Sequence, residues 1–325
     1  MYIHTKRNPP NELILLQRLL ARISEDHPQH KTISEKLYQV NAGYSGEVDV
    51  DRILPEIGLP QDVIVIKGIT IEILPNFFAQ LDTLILTRKR IILLEIKKYA
   101  GTVIFDVESG KTMKVSMNGE VEKFDCILHQ LDRAAHGLKS WLEKRQVHIP
   151  IEPILVMANQ RTIIEEIPKP FTVKYGKQLP KYIRELPKTA DILTQQQINN
   201  LANQFQSSQI HWRRKTACEL YKVPPADLEI GILCLNCNVK MKRVRGRTWL
   251  CEPCKKLSNA SIGQAVADWF LLISPTITNK QLMYFLELKS NTAASKLFKK
   301  LYLTRTGKPP KTIYTWNYKM PIYKQ

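Results

Sequence analysis

The chain of 325 residues has no apolar run that approaches the roughly 18 residues needed to span a bilayer. Its first ten residues contain no apolar stretch of the kind found in a secretory signal peptide. Internal repeats and low-complexity segments are absent as well. We therefore expect a cytosolic protein, and its length and its 44% content of hydrophobic residues are typical of two or three folded domains.

Acidic residues are scarce in the C-terminal third of the chain. Residues 234–325 contain 3 acidic and 17 basic residues, whereas residues 1–233 contain 27 and 31. Most of the net charge of +18 therefore lies in this third, which indicates an anionic polymer as partner, with nucleic acid as the first candidate. An anionic membrane surface is an alternative, although no basic amphipathic helix with a strongly apolar face is evident. A basic surface that only maintains solubility is another.

Hydrophobic periodicity and the positions of proline and glycine predict an α/β protein in five segments. These are an N-terminal helical segment (1–32), an α/β domain (33–206), a connector (207–233), a cysteine module (234–257) and a helical tail (258–325). Within the α/β domain we expect a helical region interrupted near Gly43 and Gly46, strands over 62–74, 80–87 and 91–98, a helix over 124–146 and a strand over 151–158.

The second and third predicted strands carry three charged residues, Asp82, Glu95 and Lys97. Successive side chains of a strand alternate between its faces, so Glu95 and Lys97 share a face, and Asp82 can approach them across the hairpin. Two carboxylates on adjacent strands can bind Mg²⁺ or Mn²⁺, and a neighbouring lysine can orient water or stabilise charge on a phosphate. The alternative is an ion pair on a solvated edge strand. The apolar run 91–94 argues for a buried strand, where a charge needs a partner or a role.

These residues resemble the PD-(D/E)xK nuclease superfamily and, more narrowly, the NERD (nuclease-related) domain, over roughly residues 35–160. The resemblance rests on Gly46-Glu47, then Gln80-Leu81-Asp82, then Glu95-Ile96-Lys97 followed by Tyr99-Ala100-Gly101. It implies a restriction-endonuclease-like mixed sheet flanked by helices. It further implies that Asp82 and Glu95 are ligands of Mg²⁺ or Mn²⁺, that Lys97 is the catalytic lysine, that Glu47 is a further acidic contributor, and that Gln130 lies near the site on a later helix. Leu81 stands where the superfamily name has proline.

Four of the six cysteines form the pattern Cys234-x₂-Cys237-x₁₃-Cys251-x₂-Cys254. Two such pairs bring four thiolates to one tetrahedral Zn²⁺, and four protein ligands leave no open position, so the zinc would be structural. The segment between the pairs is typical of a hairpin, and the module resembles a zinc ribbon. Redox activity and iron–sulfur binding are the alternatives.

The ribbon is predicted to contact nucleic acid through its basic residues: Lys240, Lys242, Arg243, Arg245 and Arg247. Trp249 either stacks on a base or covers the small core of the ribbon, and the sequence leaves both interpretations open.

The tail contains two short helical patterns, 278–286 and 292–301, separated by a turn at Lys289-Ser290-Asn291. This pattern resembles a helix-turn-helix, and residues 303–318 would form a β-wing. The predicted contacts are Asn291, Thr292, Ser295 and Lys296 on the second helix, with Arg305, Lys308 and Lys311 touching phosphates. The alternative is a helical hairpin that packs on the ribbon.

The sequence as a whole predicts a metal-dependent deoxyribonuclease with a zinc-bearing region that binds DNA. A DNA-binding protein with an inactive nuclease fold and an RNA-processing nuclease are the alternatives. Strand preference, endo- or exonucleolytic action, oligomeric state and pathway are left open by the sequence.

Overall fold

The computed structural model describes residues 3–4, 7–209, 215–245, 248–258, 261–308 and 311–317. Its helices in chain order are α1 (Asn11–Leu20), α2 (His30–Ile53), α3 (Ile127–Glu143), α4 (Leu179–Glu185), α5 (Gln195–Ser207), α6 (Ala217–Tyr221), α7 (Ser261–Asp268), α8 (Asn279–Phe285) and α9 (Asn291–Phe298). Its strands are β1 (Ile3–His4), β2 (Ile64–Leu74), β3 (Phe77–Leu86), β4 (Ile91–Lys97), β5 (Thr102–Asp106), β6 (Lys111–Val115), β7 (Val121–Asp125), β8 (Ile151–Met157), β9 (Ile163–Ile164), β10 (Val173–Tyr175), β11 (Lys242–Arg245), β12 (Thr248–Cys251), β13 (Lys256–Ser258), β14 (Thr276–Ile277), β15 (Leu303–Thr306) and β16 (Ile313–Trp316).

The chain divides into two compact units. The first comprises Met1–Pro9 with Asn41–Ile210, and the second comprises Pro10–Val40 with His211–Gln325. Residues 10–32 therefore group with C-terminal residues. The division into five consecutive segments stays a prediction.

A six-stranded mixed sheet forms the centre of the first unit, in the order β1-β2-β3-β4-β8-β10. Strands β2, β3 and β4 form an antiparallel meander, while β8 runs parallel to β4 and β10 runs parallel to β8. Strand β4 consequently lies inside the sheet, which explains its continuous run of buried apolar residues.

Helices cover both faces of this sheet. Helices α3 and α5 pack on one face, where Trp141 stacks on Phe205 with a ring-centroid distance of 4.4 Å. The C-terminal part of α2, the turn Leu54–Ile57 that follows it and helix α4 pack on the other face through Val50, Leu54 and Leu179. The predicted mixed sheet flanked by helices is confirmed.

Helix α2 is continuous from His30 to Ile53, so the predicted interruption near Gly43 and Gly46 is wrong. Glycine lowers helix propensity by about 1 kcal/mol relative to alanine, and tertiary packing readily outweighs that amount. Val50 and Leu54 at the end of this segment are fully buried, and their packing keeps the helix intact through both glycines.

The second unit has two apolar clusters. In one, α1 packs against α6 through Leu15, Leu19 and Cys218. The other combines ribbon residues with helix and wing residues, including Trp249 and Cys251 of β12, Val266 of α7 and Phe298 of α9. The cysteine module and the tail therefore share one core.

Within the described ranges, no helix combines the length and the hydrophobicity needed to cross a membrane.

Candidate active site and zinc centre

Asp82, Glu95 and Lys97 lie together at neighbouring positions of β3 and β4. Thr83 pairs with Leu94 in the antiparallel register, so the next residues along each strand, Asp82 and Glu95, are adjacent. The Ile96 N–H donates to Asp82 Oδ2 at 2.8 Å, so the carboxylate is fixed by the neighbouring strand. Lys97 Nζ lies 2.8 Å from Glu95 Oε1. The structure thus brings together the three residues that the sequence pattern selects.

Burial makes this site electrostatically unusual. Asp82 and Glu95 are only 6% and 2% exposed. Burial and the nearby Asp82 charge raise the pKa of Glu95 to about 7, against the opposing effect of Lys97. Burial raises the pKa of Asp82 as well. For Lys97, burial lowers the pKa, but Glu95 and Asp82 outweigh it and the net pKa is raised, so the lysine stays charged.

The donor set at this site fits a hard divalent cation. Carboxylate oxygens are the ligands that Mg²⁺ and Mn²⁺ prefer, and the charge of Asp82 disfavours the charged form of Glu95. A cation placed between Asp82 and Glu95 would relieve that repulsion. The residues present therefore fit the metal that the resemblance implies.

Glu47 reaches this region from α2. Gly46, the residue before it, allows a close approach, because a Cβ there would lie 2.7 Å from Lys98 Cβ. Burial and then the charge of Asp82 raise the pKa of Glu47 to about 7, while Arg7 opposes this shift. Glu47 forms an ion pair with Arg7 and is therefore already partnered.

Two further charged residues near the site, Arg7 and Asp51, were not predicted from the sequence. Arg7 Nε donates to Asp51 Oδ2 at 2.9 Å, and its Nη2 donates to the backbone carbonyl of Asp82 at 3.0 Å. The signal that could have found them is the spacing of Glu47 and Asp51, four residues apart on one helix face. Two carboxylates facing an apolar sheet require a cation nearby.

Gln130 is exposed on α3, where its backbone N–H bonds to the Cys126 carbonyl. In the parts of the chain that the structure describes, no side-chain hydrogen bond or ion pair joins it to Asp82, Glu95 or Lys97.

The four paired cysteines come together as predicted. The Sγ atoms of Cys234, Cys237, Cys251 and Cys254 all lie within 4.8 Å of one another. Four sulfur ligands at this separation fit one tetrahedral zinc ion. The Asn236 N–H donates to Cys234 Sγ at 3.4 Å, and hydrogen bonds from the Asn236 and Cys237 backbone lower the pKa of Cys234 to about 7. Such bonds stabilise the thiolate that binds metal.

The two cysteine pairs have matching backbone turns. The residue after each second cysteine, Asn238 and Lys255, has a φ of +57° and +54°. The intervening β11 and β12 pair antiparallel, as a hairpin. These features support the zinc-ribbon interpretation of the module.

The basic residues of the ribbon have mixed surroundings. Lys240 and Lys242 form exposed ion pairs with Glu287 and Glu252, each at 2.8 Å. Arg243 is exposed. Arg247 and the side chain of Arg245 lie outside the described residues. Trp249 is 7% exposed and belongs to the shared core, which favours the core interpretation over base stacking.

The tail places most of its predicted contact residues on the surface. Thr278 caps α8 by accepting from the Gln281 N–H, and α9 follows after the predicted turn. Ser295 differs from its neighbours because its hydroxyl accepts from Asn279 Nδ2 at 3.1 Å and so connects α9 to α8. Strands β15 and β16 form the predicted hairpin and join β14 in one small sheet. The exposed predicted residues are Asn291, Thr292, Lys296, Arg305, Lys308 and Lys311.

A mixed sheet with two carboxylates and a lysine at adjacent strand positions is the arrangement of a nuclease-type domain. Residues 42–158, a little over a third of the chain, match the family model described as the nuclease-related domain, NERD. This stretch is therefore similar to a nuclease-related domain, and it includes Glu47, Asp82, Glu95 and Lys97. No curated protein matches the chain, and no solved structure matches it.

Proposed function

We propose that this chain is a Mg²⁺- or Mn²⁺-dependent nuclease that hydrolyses phosphodiester bonds of DNA. The observation that carries the proposal is the buried group of Asp82, Glu95 and Lys97 on β3 and β4, within the nuclease-related domain. A cytosolic location, in which paired cysteines bind metal rather than oxidise, is part of the proposal.

Each charged side chain has a distinct role in this proposal. Asp82 and Glu95 hold the cation, and the Ile96 N–H keeps the Asp82 carboxylate oriented. When bound there, a divalent cation would provide Lewis acidity that polarises the phosphate and lowers the pKa of water. Lys97, kept charged by Glu95 and Asp82, orients the attacking water and stabilises negative charge that develops on phosphate oxygens. Glu47 contributes negative charge next to the site, and Gln130 is proposed to contact substrate from α3.

The C-terminal part of the chain is proposed to hold the nucleic acid. The elements of this part follow one another along the chain as α7, β14, α8, α9, β15 and β16. This is the element order of a winged helix-turn-helix. Exposed residues at the start of α9 would contact bases, and the basic residues of the wing and ribbon would contact phosphates. From Leu288 to the last residue the chain has no acidic residue, which favours an anionic partner.

A cleavage assay tests the enzymatic part of the proposal. The purified chain is incubated with DNA or RNA of the same sequence, with Mg²⁺ or Mn²⁺, beside Asp82→Asn and Lys97→Ala. Removing one group that stabilises transition-state charge lowers rates by about 10²-fold or more, so both variants should lose DNA cleavage. Lys111→Ala, which removes an exposed ion pair with Asp125, is the matched control and should cleave normally.

Equal cleavage by all four proteins would contradict the proposed site. No cleavage by the unchanged chain, with intact DNA binding, would favour the inactive-fold alternative. Cleavage of RNA in preference to DNA would leave the mechanism standing and change the substrate.

A binding assay tests the C-terminal part. Lys296→Ala combined with Arg305→Ala should weaken DNA binding and reduce the slope of log K against log salt by roughly 2. Lys139→Ala, an exposed lysine on α3, is the control. An unchanged slope in the double variant would refute the role given to α9 and the wing.

A further inference from the structure

Arg7 is a buried arginine that lies outside the residues that match the nuclease-related domain, and it is 7% exposed. Strand β1 pairs with β2 in parallel, with Ile3 beside Ile64 and His4 beside Val65. The Arg7 side chain lies close to β2, because a Cβ on Gly68 would be 3.6 Å from Arg7 Nη1. Arg7 therefore lies at a defined point of the sheet.

The sheet is irregular at that point. Lys67 pairs with Thr83 and Ile69 pairs with Leu81, so Gly68 lies across from Asp82, and its φ is +61°. A non-glycine residue would be strained at this φ. Arg7 Nη2 donates here to the Asp82 carbonyl at 3.0 Å and to Thr83 Oγ1 at 2.8 Å.

The same guanidinium holds two carboxylates of α2. Nη1 bonds to Glu47, and Nε bonds to Asp51 at 2.9 Å. Lys67 adds a second cation, with its Nζ 3.5 Å from Asp51 Oδ2. One side chain therefore connects the backbone of Asp82 to the helix that carries Glu47.

We propose that Arg7 is a positioning residue of the nuclease site, which fixes the backbone at Asp82 and keeps Glu47 beside it. This inference rests on the proposed function. The Arg7 guanidinium bonds to four acceptor groups, two carboxylates, a carbonyl and the Thr83 hydroxyl. Its five N–H donors form a rigid planar fork, whereas a lysine ammonium has only three donors, all on one atom. Arg7 is buried, so it acts through Asp82 and Glu47 and not on the substrate. The N-terminal segment, which no nuclease motif marks, then completes the site.

The test compares the full chain with Arg7→Lys and Arg7→Ala. Arg52→Ala is the control, since Arg52 is exposed on α2 and pairs only with Asp49 among described residues. Four quantities are measured: Mn²⁺ affinity without nucleic acid, kcat, KM for DNA, and the unfolding midpoint. Loss of an outer-shell group lowers metal affinity or activity about 10–100-fold, so Arg7→Lys should show losses of that size in Mn²⁺ affinity and kcat. KM for DNA should stay within about twofold.

The second measurement is the Mn²⁺ affinity of Arg7→Ala in the presence of guanidinium ion at millimolar concentration. This ion should restore part of the Mn²⁺ affinity of Arg7→Ala, while methylammonium should not, because only guanidinium reproduces the fork. If Arg7→Ala does not fold, Arg7→Lys decides the question.

Normal Mn²⁺ affinity and kcat in Arg7→Lys, with only a lower unfolding midpoint, would overturn the inference while leaving the nuclease proposal intact. A wild-type chain that binds Mn²⁺ without cleaving any nucleic acid would defeat the nuclease proposal, and the Mn²⁺ comparison would still decide the role of Arg7. A chain that neither binds Mn²⁺ nor cleaves would defeat both.

Discussion

At the scale of single residues, two glycines of α2 differ in whether a side chain would fit at their position. A Cβ on Gly46 would lie 2.7 Å from Lys98 Cβ and 3.4 Å from Ala158 Cβ, whereas a Cβ on Gly43 would meet nothing within 4 Å. Gly46 therefore sets how closely the helix approaches the ends of β4 and β8, and with it the position of Glu47. Gly43 has no such role.

Alanine substitutions should separate the two positions. Gly43→Ala should stabilise the protein by about 0.5–1 kcal/mol, because alanine has the higher helix propensity and the space is open. Gly46→Ala should destabilise it by roughly 1 kcal/mol or more and lower nuclease activity, because the helix must move away from the sheet. Denaturant unfolding and the cleavage assay measure both effects. A Gly46→Ala variant as stable and active as Gly43→Ala would show that the sheet accommodates the methyl group.

Residue patterns predicted that Asp82, Glu95 and Lys97 lie close together, but they did not predict the residues around them. Asp82, Glu95 and Lys97 were predictable because strand alternation and an apolar strand constrain their positions locally. Arg7 was not, because its contacts with Asp51 and Asp82 depend on how the N-terminal strand joins the sheet. Contacts between residues that are so far apart in the sequence produce no local pattern of hydrophobic or charged residues from which they could be predicted.

At the scale of elements, α1 is tied to α7 by a buried acid. Asp268 is fully buried and accepts from Arg22 Nε at 2.7 Å, and Arg18 binds it through two nitrogens at 2.8 and 2.7 Å. Arg22 also donates to the Glu229 carbonyl at 2.7 Å. The sequence predicted the helix at α1 but left it as a separate N-terminal segment, since charge pairing across more than two hundred residues has no signature in one sequence.

Asp268→Asn should therefore destabilise the second unit severely. It leaves Arg22 buried without its counter-charge, and breaking a buried pair in this way costs about 3–5 kcal/mol. Glu12→Gln, on α1, is the control: it removes the charge of an exposed 3.7 Å pair with Lys36, while the glutamine oxygen can still accept from the Tyr221 hydroxyl, so stability should change by less than about 1 kcal/mol. Chemical denaturation of both variants provides the comparison. Similar losses of stability in the two variants would mean that Arg18 and Arg22 form other interactions when Asp268 is replaced.

Single helices and strands of the tail were easier to predict than the way in which they pack together. Helices α8 and α9, the turn between them and the wing hairpin all lie where their periodicity and caps predict. Their shared core with the ribbon was not predicted as the main interpretation. Burial of Trp249 against helix residues arises from tertiary packing, which the ribbon's own spacing does not encode.

At the scale of the whole molecule, the four-cysteine cluster shares one hydrophobic core with the helices of the basic tail. Cys234, Cys251 and Trp249 pack with Trp269, Phe298 and Trp316 in one cluster. A structural zinc site contributes about 10–16 kcal/mol of apparent binding free energy in small peptides, which is comparable to or greater than the roughly 5–15 kcal/mol stability of a typical domain. The fold of α7, α8, α9 and the wing should therefore depend on zinc, although none of them supplies a ligand.

Removal of zinc should consequently abolish the proposed DNA binding by unfolding this cluster, while the first unit, which contains residues 42–158, stays folded. The measurement uses a zinc-selective chelator or Cys251→Ser, with near-ultraviolet circular dichroism, DNA affinity and zinc content, which should be close to one per chain in the untreated protein. Cys126→Ser is the control, since Cys126 lies in the other unit's core and is no part of the cysteine cluster. Because Trp141 stacks on Phe205 in that other core, part of the aromatic signal should survive chelation. Unchanged DNA affinity in zinc-free protein would mean that the tail folds without the metal, and that its helices and not the ribbon supply the stability.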